Sequence, residues 1–360
     1  MKLRDTIKSI KGFKMAKKLK RISLALLGVI ATIALLIVGV RAYNDHVYGG
    51  ETYKFDAPAY FSDPANLSLY PTNIDGVDVR RVDDGAAQGF HLVPREIKHK
   101  GTIIVYGGSD GTPNYAQAVD FAKNGYEVMS LFMFGQKNQP KTLARVPLEQ
   151  FEQTLRYVEA HARSASPLTV MGVSKGAEYA LNLTSKYPQI NNAILAAPSA
   201  YNFNGLDFEN YGSSWTWQGK ELPYIDIQKT SLGHFIGDMI IPMIVKAPVT
   251  YKNAYQTAVD MDKDSESKKI SLNTKANILI IAGSDDQMWN SAGMGKSIKD
   301  QRPQNTDLAI YGGAGHVFAG NGVLSTGSMR MNVGGTTNAN TRAARESHKL
   351  MYDRLQVWHP

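Results

Sequence analysis

Ser174 stands at the centre of Gly172-Val173-Ser174-Lys175-Gly176, with a glycine two residues away on either side. A hydroxyl is a poor nucleophile at neutral pH and needs a base, which in turn is held by an acid. The pentapeptide suits such a nucleophile when a strand enters it and a helix leaves it. Here the short apolar run Leu168 to Met171 precedes it and a helix over 177–186 follows. This turn forces the serine into a strained conformation and stands its hydroxyl clear at the end of a sheet. The amide of Lys175, at the helix N-terminus, is then free to donate to an oxyanion. The bland alternative is a plain glycine-rich turn between strand and helix.

Where a serine follows a strand in this way, the acid and then the histidine come later in the chain. The apolar strand Ile278 to Ile281 runs into Ala282-Gly283-Ser284-Asp285-Asp286. Gly-x-x-Asp spacing favours Asp286, with Asp285 as the fallback and turn formation as its structural role. Of eight histidines, His316 alone lies after the last strand, in Gly312-Gly313-Ala314-Gly315-His316. His46, His91 and His99 precede the sheet proper. His161 ends a helix, His234 falls in an insertion, and His348 and His359 belong to the C-terminal helix and tail. The glycine-rich loop after the first core strand, Tyr106-Gly107-Gly108-Ser109-Asp110-Gly111, offers the second oxyanion amide from Gly108 or Ser109. Lys175 has two readings: an i,i+3 pair with Glu178, or a cation for an acidic substrate. No metal-ligand spacing, phosphate loop or dinucleotide fingerprint is present, so neither metal nor cofactor is expected.

The elements that position these residues follow from pattern. Val77 to Val82 and Gly89 to Val93 read as a hairpin about Asp84-Gly85. From residue 101, short apolar strands alternate with helices. The strands are Thr102 to Tyr106, Tyr126 to Phe132, Pro167 to Met171, Asn192 to Ala196, Ile278 to Ile281 and Asp307 to Tyr311. The helices are Tyr115 to Lys123, Pro147 to Ala162 and the one after Ser174. This rhythm predicts an α/β fold with a mostly parallel, doubly wound sheet. Residues 201–272 break it with Tyr201, Phe203, Phe208, Tyr211, Trp215, Trp217 and Tyr224 and an apolar stretch from Phe235 to Val245. That insertion is either a lid or pocket wall, or a structural excursion.

The net charge of +8 belongs to the leader. Residues 1–41 hold 10 Lys/Arg and one acid, giving +9. The other 30 Lys/Arg face 31 Asp/Glu, giving −1 for residues 42–360. The body therefore has no electrostatic reason to bind nucleic acid. Nine cations from Lys2 to Arg21 precede an apolar run of 19 residues, Ile22 to Val40. A spanning helix needs roughly 20 apolar residues, and the cationic flank stays in the cytoplasm. The expected organisation is a basic leader (1–21), a transmembrane helix or signal-anchor (22–40), a linker (41–76) and an extracytoplasmic catalytic domain (77–360). Val40-Arg41-Ala42 also suits a signal peptidase, and cleavage there would release a secreted protein. With no cysteine, the chain has no disulfide, thiolate metal site or cysteine nucleophile.

Several local stretches carry a resemblance. They are Tyr106 to Gly111, Arg145 to Phe151, Gly172 to Glu178, Ser214 to Tyr224, Gly283 to Trp289 and Gly313 to His316. From Gly101 onward the chain resembles the catalytic domain of the acyl-CoA thioesterase and bile acid-CoA:amino acid N-acyltransferase family. The resemblance implies an α/β-hydrolase fold, with the nucleophile at Ser174, the acid at Asp286 and the base at His316. It also implies an acyl ester or thioester substrate. Three departures stand beside it. The stretch between the apolar run and Gly101 is too short for the family's N-terminal β-sandwich, which is expected to be absent or vestigial. Serine replaces the cysteine of the acyltransferase members. An extracytoplasmic domain does not meet cytoplasmic acyl-CoA. The expectation is thus a membrane-anchored serine hydrolase of acyl esters or thioesters. The rivals are acyl transfer to an amine or alcohol, and a non-catalytic binding protein on the same scaffold.

Overall fold

Successive side chains of a strand point to opposite faces of its sheet, and the central strands here are apolar at both. In the computed structural model Ile104, Tyr106, Val170, Ile278 and Ile280 enter one hydrophobic core. Ile103, Val105, Met171, Leu279 and Ile281 enter a second. A sheet covered on both faces is the result. The structure describes residues 2–50, 57–207, 209–326 and 329–360, with side chains from Met15 onward except at positions 16 and 326.

The sheet comprises β1 (Asn73–Ile74), β2 (Val77–Asp84), β3 (Ala87–Pro94), β4 (Thr102–Tyr106), β5 (Glu127–Leu131), β6 (Leu168–Val173), β7 (Asn192–Ala196), β8 (Asn277–Gly283) and β9 (Thr306–Tyr311). Their spatial order is β1-β2-β3-β5-β4-β6-β7-β8-β9. The pairs β1–β2, β2–β3 and β3–β5 are antiparallel. Every pair from β5 to β9 is parallel. The principal helices are α1 (Lys2–Tyr48), α2 (Tyr115–Lys123), α3 (Gln150–His161), α4 (Lys175–Lys186), α5 (Lys252–Met261), α6 (Ser291–Gln301) and α7 (Thr337–Trp358). Phe121 of α2 and Met351 and Leu355 of α7 pack on one face. Phe151 of α3, Leu181 of α4 and Ile298 of α6 pack on the other. Register brings Tyr106 beside Gly172, and Gly172 beside Leu195. The loops leaving β4 and β6 therefore meet at the carboxyl ends of the parallel strands, where open α/β sheets place their sites.

Three expectations meet a different structure. Residues 41–48 continue α1, and residues 57–74 are not a loose linker. Tyr60 and Tyr70 stack at 4.5 Å and pack with Phe90, Tyr115 and Phe132 against the sheet. The 51–56 part of that segment and Phe208 lie outside the described residues, as do the side chains of Lys2, Arg4, Lys8, Lys11 and Lys14. Pro147 does not open α3. Val146–Pro147 pair in parallel with Trp215 and Thr216, so the helix begins at Gln150. The insertion is partly core, since Phe203 and Trp215 are fully buried, and it contributes the unanticipated α5.

Buried polar groups lie in a chain across the amino ends of the central strands. The Asn277 amide donates to Asn192 Oδ1, and the Asn192 amide donates to Thr169 Oγ1. Thr169 Oγ1 lies 2.7 Å from His359 Nε2, and His359 Nδ1 lies 2.7 Å from the Lys100 carbonyl. The neutral imidazole with its proton on Nδ1 satisfies both contacts. Burial lowers the His359 pKa from 6.5, and nearby His99 adds to the effect, while the bond to Lys100 opposes it. The unfolded chain thus takes up this proton more readily than the folded one. The contribution of His359 to stability is present above pH 6.5 and is lost as pH falls through the depressed folded pKa. Urea midpoints are expected to drop between pH 7 and pH 5.5, and His359→Gln should flatten that slope.

Helix α1 is long and apolar enough to cross a membrane, and its most apolar window is unburied. Its last two turns dock on the body. Arg41 Nε and the Asn44 amide donate to the carbonyls of Ile244 and Val245, at 2.6 and 2.8 Å. Asp45 pairs with both Lys246 and Arg330 at 2.8 Å.

Candidate active site

Ser174 closes β6 and caps α4 with φ +56° and ψ −120°. A non-glycine residue held there stores roughly 1–3 kcal/mol of strain. The flanking glycines are required by close approach. A Cβ on Gly172 would lie 1.9 Å from the Gly176 carbonyl oxygen, and one on Gly176 would lie 1.9 Å from that of Gly107. The turn is therefore as tight as backbone contact permits, and the loop after β4 rests directly on it.

Three expected residues come together. His316 Nε2 lies 2.8 Å from Ser174 Oγ, and His316 Nδ1 lies 2.8 Å from Asp286 Oδ2. Asp286 and His316 are both buried. The second carboxylate oxygen of Asp286 accepts from the amides of Met288 and Trp289, at 2.9 and 3.2 Å. These bonds hold the carboxylate in place. Asp285 points elsewhere, accepting from the Gln287 side chain and the Gly335 amide. The loop carrying His316 is braced from behind, because Asn340 of α7 accepts from the Gly315 amide at 2.8 Å. The His316 amide donates to Val333 O at 2.7 Å. Trp289 sets its ring edge-on to His316 at 5.5 Å and donates from Nε1 to Ala197 O.

The two loop candidates separate. The Gly108 amide is engaged with Asp110 Oδ2 at 3.2 Å. Ser109 lines a small open cavity with Ser174, Lys175, Leu206, Tyr255, Met288 and Trp289. Leu206 and Tyr255 had no signal in sequence as wall residues, because the long insertion brings them in from afar, whereas Met288 and Trp289 arrive on the loop that carries Asp286.

Lys175 presents its backbone to this cavity and withdraws its side chain from it. The ammonium is buried, 3.1 Å from Glu178 Oε2 and 2.8 Å from Ser214 Oγ. Glu178, fully buried, also accepts from the Phe203 amide and Trp215 Nε1, at 3.0 and 2.7 Å. Burial lowers the Lys175 pKa and raises that of Glu178, and each partner's charge opposes the drift. The pairing reading holds, and the ammonium has no free direction for an acidic substrate. Among the described residues, no cluster of three or more His, Asp or Glu is placed to hold a metal ion.

A parallel sheet with this strand order, antiparallel only at β1 to β3, and a serine on the tight turn after β6 define an α/β-hydrolase. Residues 146–351 match the model of the BAAT / Acyl-CoA thioester hydrolase C terminal family, and the chain belongs to that family. It is 25% identical to human acyl-coenzyme A thioesterase 1 over 224 residues, covering 60% of this chain and 47% of that protein. It is 24% identical to mouse bile acid-CoA:amino acid N-acyltransferase over 250 residues, 68% of this chain and 54% of that one. The chain thus spans about half the length of the curated relatives it matches. Among solved structures, an esterase of Pyrococcus furiosus aligns with a TM-score of 0.41 at 14% identity, over 65% of this chain and 81% of that one.

Proposed function

We propose that this chain is a membrane-anchored serine hydrolase of acyl esters or thioesters. The observation that carries the reading is the continuous hydrogen-bonded line from Ser174 through His316 to Asp286, set on a strained turn. Ser174 Oγ attacks the acyl carbonyl as His316 Nε2 takes its proton. Asp286 orients the ring and stabilises the imidazolium. The Lys175 and Ser109 amides hold the oxyanion; Ser109 is preferred to Gly108, whose amide Asp110 already occupies. His316 then returns the proton to the leaving alcohol or thiol. Water repeats the attack on the acyl-enzyme and releases the acid.

The domain plan is a basic leader, a span at residues 22–40 and a catalytic body that includes residues 57–74. The cationic flank supports an extracytoplasmic body. A fluorescent, membrane-impermeant fluorophosphonate tests activity and side together. Labelling of intact cells that requires Ser174 is expected. Labelling only after lysis would reverse the orientation and restore acyl-CoA as the first candidate substrate. No labelling of purified folded protein would overturn the hydrolase reading.

The two neighbouring acids give an internal comparison. Asp286→Asn is expected to lower kcat by about 10⁴-fold, because the wrong imidazole tautomer then faces Ser174. Asp285→Asn should leave kcat near wild type. Steady-state rates on p-nitrophenyl butyrate distinguish the two.

A further inference from the structure

The helical run Leu232–Val245 is apolar apart from the half-exposed His234–Asp238 pair, yet none of its side chains is buried. Leu232, Phe235, Ile236, Ile241, Met243 and Ile244 are each between 41% and 70% exposed. Elsewhere on the described body, large exposed apolar residues are scattered singly, which is ordinary. A concentration of six in one short helix marks a surface made to be covered.

Its position says by what. The end carbonyls of this run, which a helix leaves without internal partners, accept from Arg41 and Asn44 of α1. Arg41 is the first charged residue after the apolar stretch Ile22 to Val40. With that stretch in hydrocarbon, Arg41 lies at the membrane surface, and so does the end of the exposed helix. The run is also coupled to the site. Its Asp238 carbonyl accepts from the Thr250 amide, and the next two amides, of Tyr251 and Lys252, bond to Gln287 O, beside Asp286 and Met288. Tyr255, one helical turn on, lines the cavity. The cavity wall is largely apolar, and its lysine is already paired.

From this juxtaposition we propose that Leu232–Val245 lies in the bilayer leaflet from which α1 emerges, and that the site takes its acyl ester from that leaflet. The second half rests on the hydrolase reading above. Water adds across the acyl C–O bond, leaving a carboxylic acid and an alcohol in or at the membrane.

The chain lacks cysteine, so a single one can be labelled cleanly. Full-length Met243→Cys carrying bimane, reconstituted in phosphatidylcholine vesicles, should be quenched by phospholipid bearing a nitroxide high on its acyl chain. Lys98→Cys, before β4 at the opposite end of the strands from Ser174, should not be quenched. Equal quenching at both sites, or a Met243→Cys label shielded by a second copy and untouched by nitroxide, overturns the membrane contact. For the substrate, Ile241→Asp with Met243→Asp should reduce hydrolysis of a pyrene-labelled diacylglycerol in vesicles by about tenfold or more. Its rate on aqueous p-nitrophenyl butyrate should stay near wild type. An equal response to both substrates, or a wild type that cleaves the aqueous ester and ignores the vesicle ester, overturns the lipid source alone. A wild type that cleaves neither and resists fluorophosphonate overturns the hydrolase reading, and the quenching result stands apart from it.

Discussion

Ser174→Ala is expected to abolish ester turnover, lowering kcat by about 10⁴ to 10⁶-fold while the fold persists. Oγ is the atom that would bond to the acyl carbon, and no neighbouring hydroxyl occupies its place on His316 Nε2. The substitution removes one hydroxyl at the rim of a cavity and leaves the packing of Gly172 and Gly176 unchanged. Circular dichroism and the melting temperature should therefore match wild type, and fluorophosphonate labelling should vanish. Unchanged turnover in a folded Ser174→Ala protein would sink the mechanism. Ser174→Gly sharpens the experiment. Glycine adopts positive φ without penalty, so this variant should be equally inactive yet more stable, by up to the roughly 1–3 kcal/mol of strain at the turn.

Glu178→Ala should cost about 3–5 kcal/mol of folding stability, the usual penalty for leaving one member of a buried ion pair alone. Glu178 gathers three donors, the Lys175 ammonium, the Phe203 amide and Trp215 Nε1. Its loss leaves the Phe203 amide and Trp215 Nε1 without that acceptor, leaves the buried Lys175 ammonium without its counter-charge and unties α4 from the insertion. The double variant Lys175→Met/Glu178→Gln tests whether charge or hydrogen bonding dominates. Glutamine still accepts from Phe203 and Trp215, and no buried charge remains. Most of the stability should return, as measured by urea denaturation. A double variant no more stable than Glu178→Ala would show that the ion pair itself, and not its desolvated remnant, sustains the region.

Local chemistry was well represented in the sequence. Short apolar runs marked β4 through β8 because the middle residues of strands covered on both faces meet hydrophobic core on either side, and β9, half-exposed at the sheet edge, kept its apolar run Leu308-Ala309-Ile310. The turn at Ser174 was legible because Gly172 and Gly176 are dictated by backbone contact. The position of His316 after the last strand of the sheet followed from chain order. Contacts made at long range were not legible. Val146–Pro147 read as a helix start because nothing nearby announces Trp215 and Thr216 as pairing partners. Residues 57–74 read as a linker because Tyr60 and Tyr70 bury themselves against Phe90, Tyr115 and Phe132, which lie further along the chain. The choice between Asp285 and Asp286 rested on spacing alone, whereas in the structure the amides of Met288 and Trp289 turn one carboxylate toward His316.

The continuity of α1 into the body has a mechanical meaning. A domain on a flexible tether samples many heights and tilts above a membrane, but here the last turns of α1 dock directly on the body. Residues 41–48 extend about 12 Å at roughly 1.5 Å per residue, and Asp45 is clamped between Lys246 and Arg330. With Ile22 to Val40 in a bilayer, as proposed, the distance from lipid surface to Ser174 would be a fixed gauge. An enzyme mounted in this way would sort substrates by how far their scissile bond stands from the bilayer. Inserting one helical turn between Val40 and Arg41 would leave it folded and working at the wrong altitude.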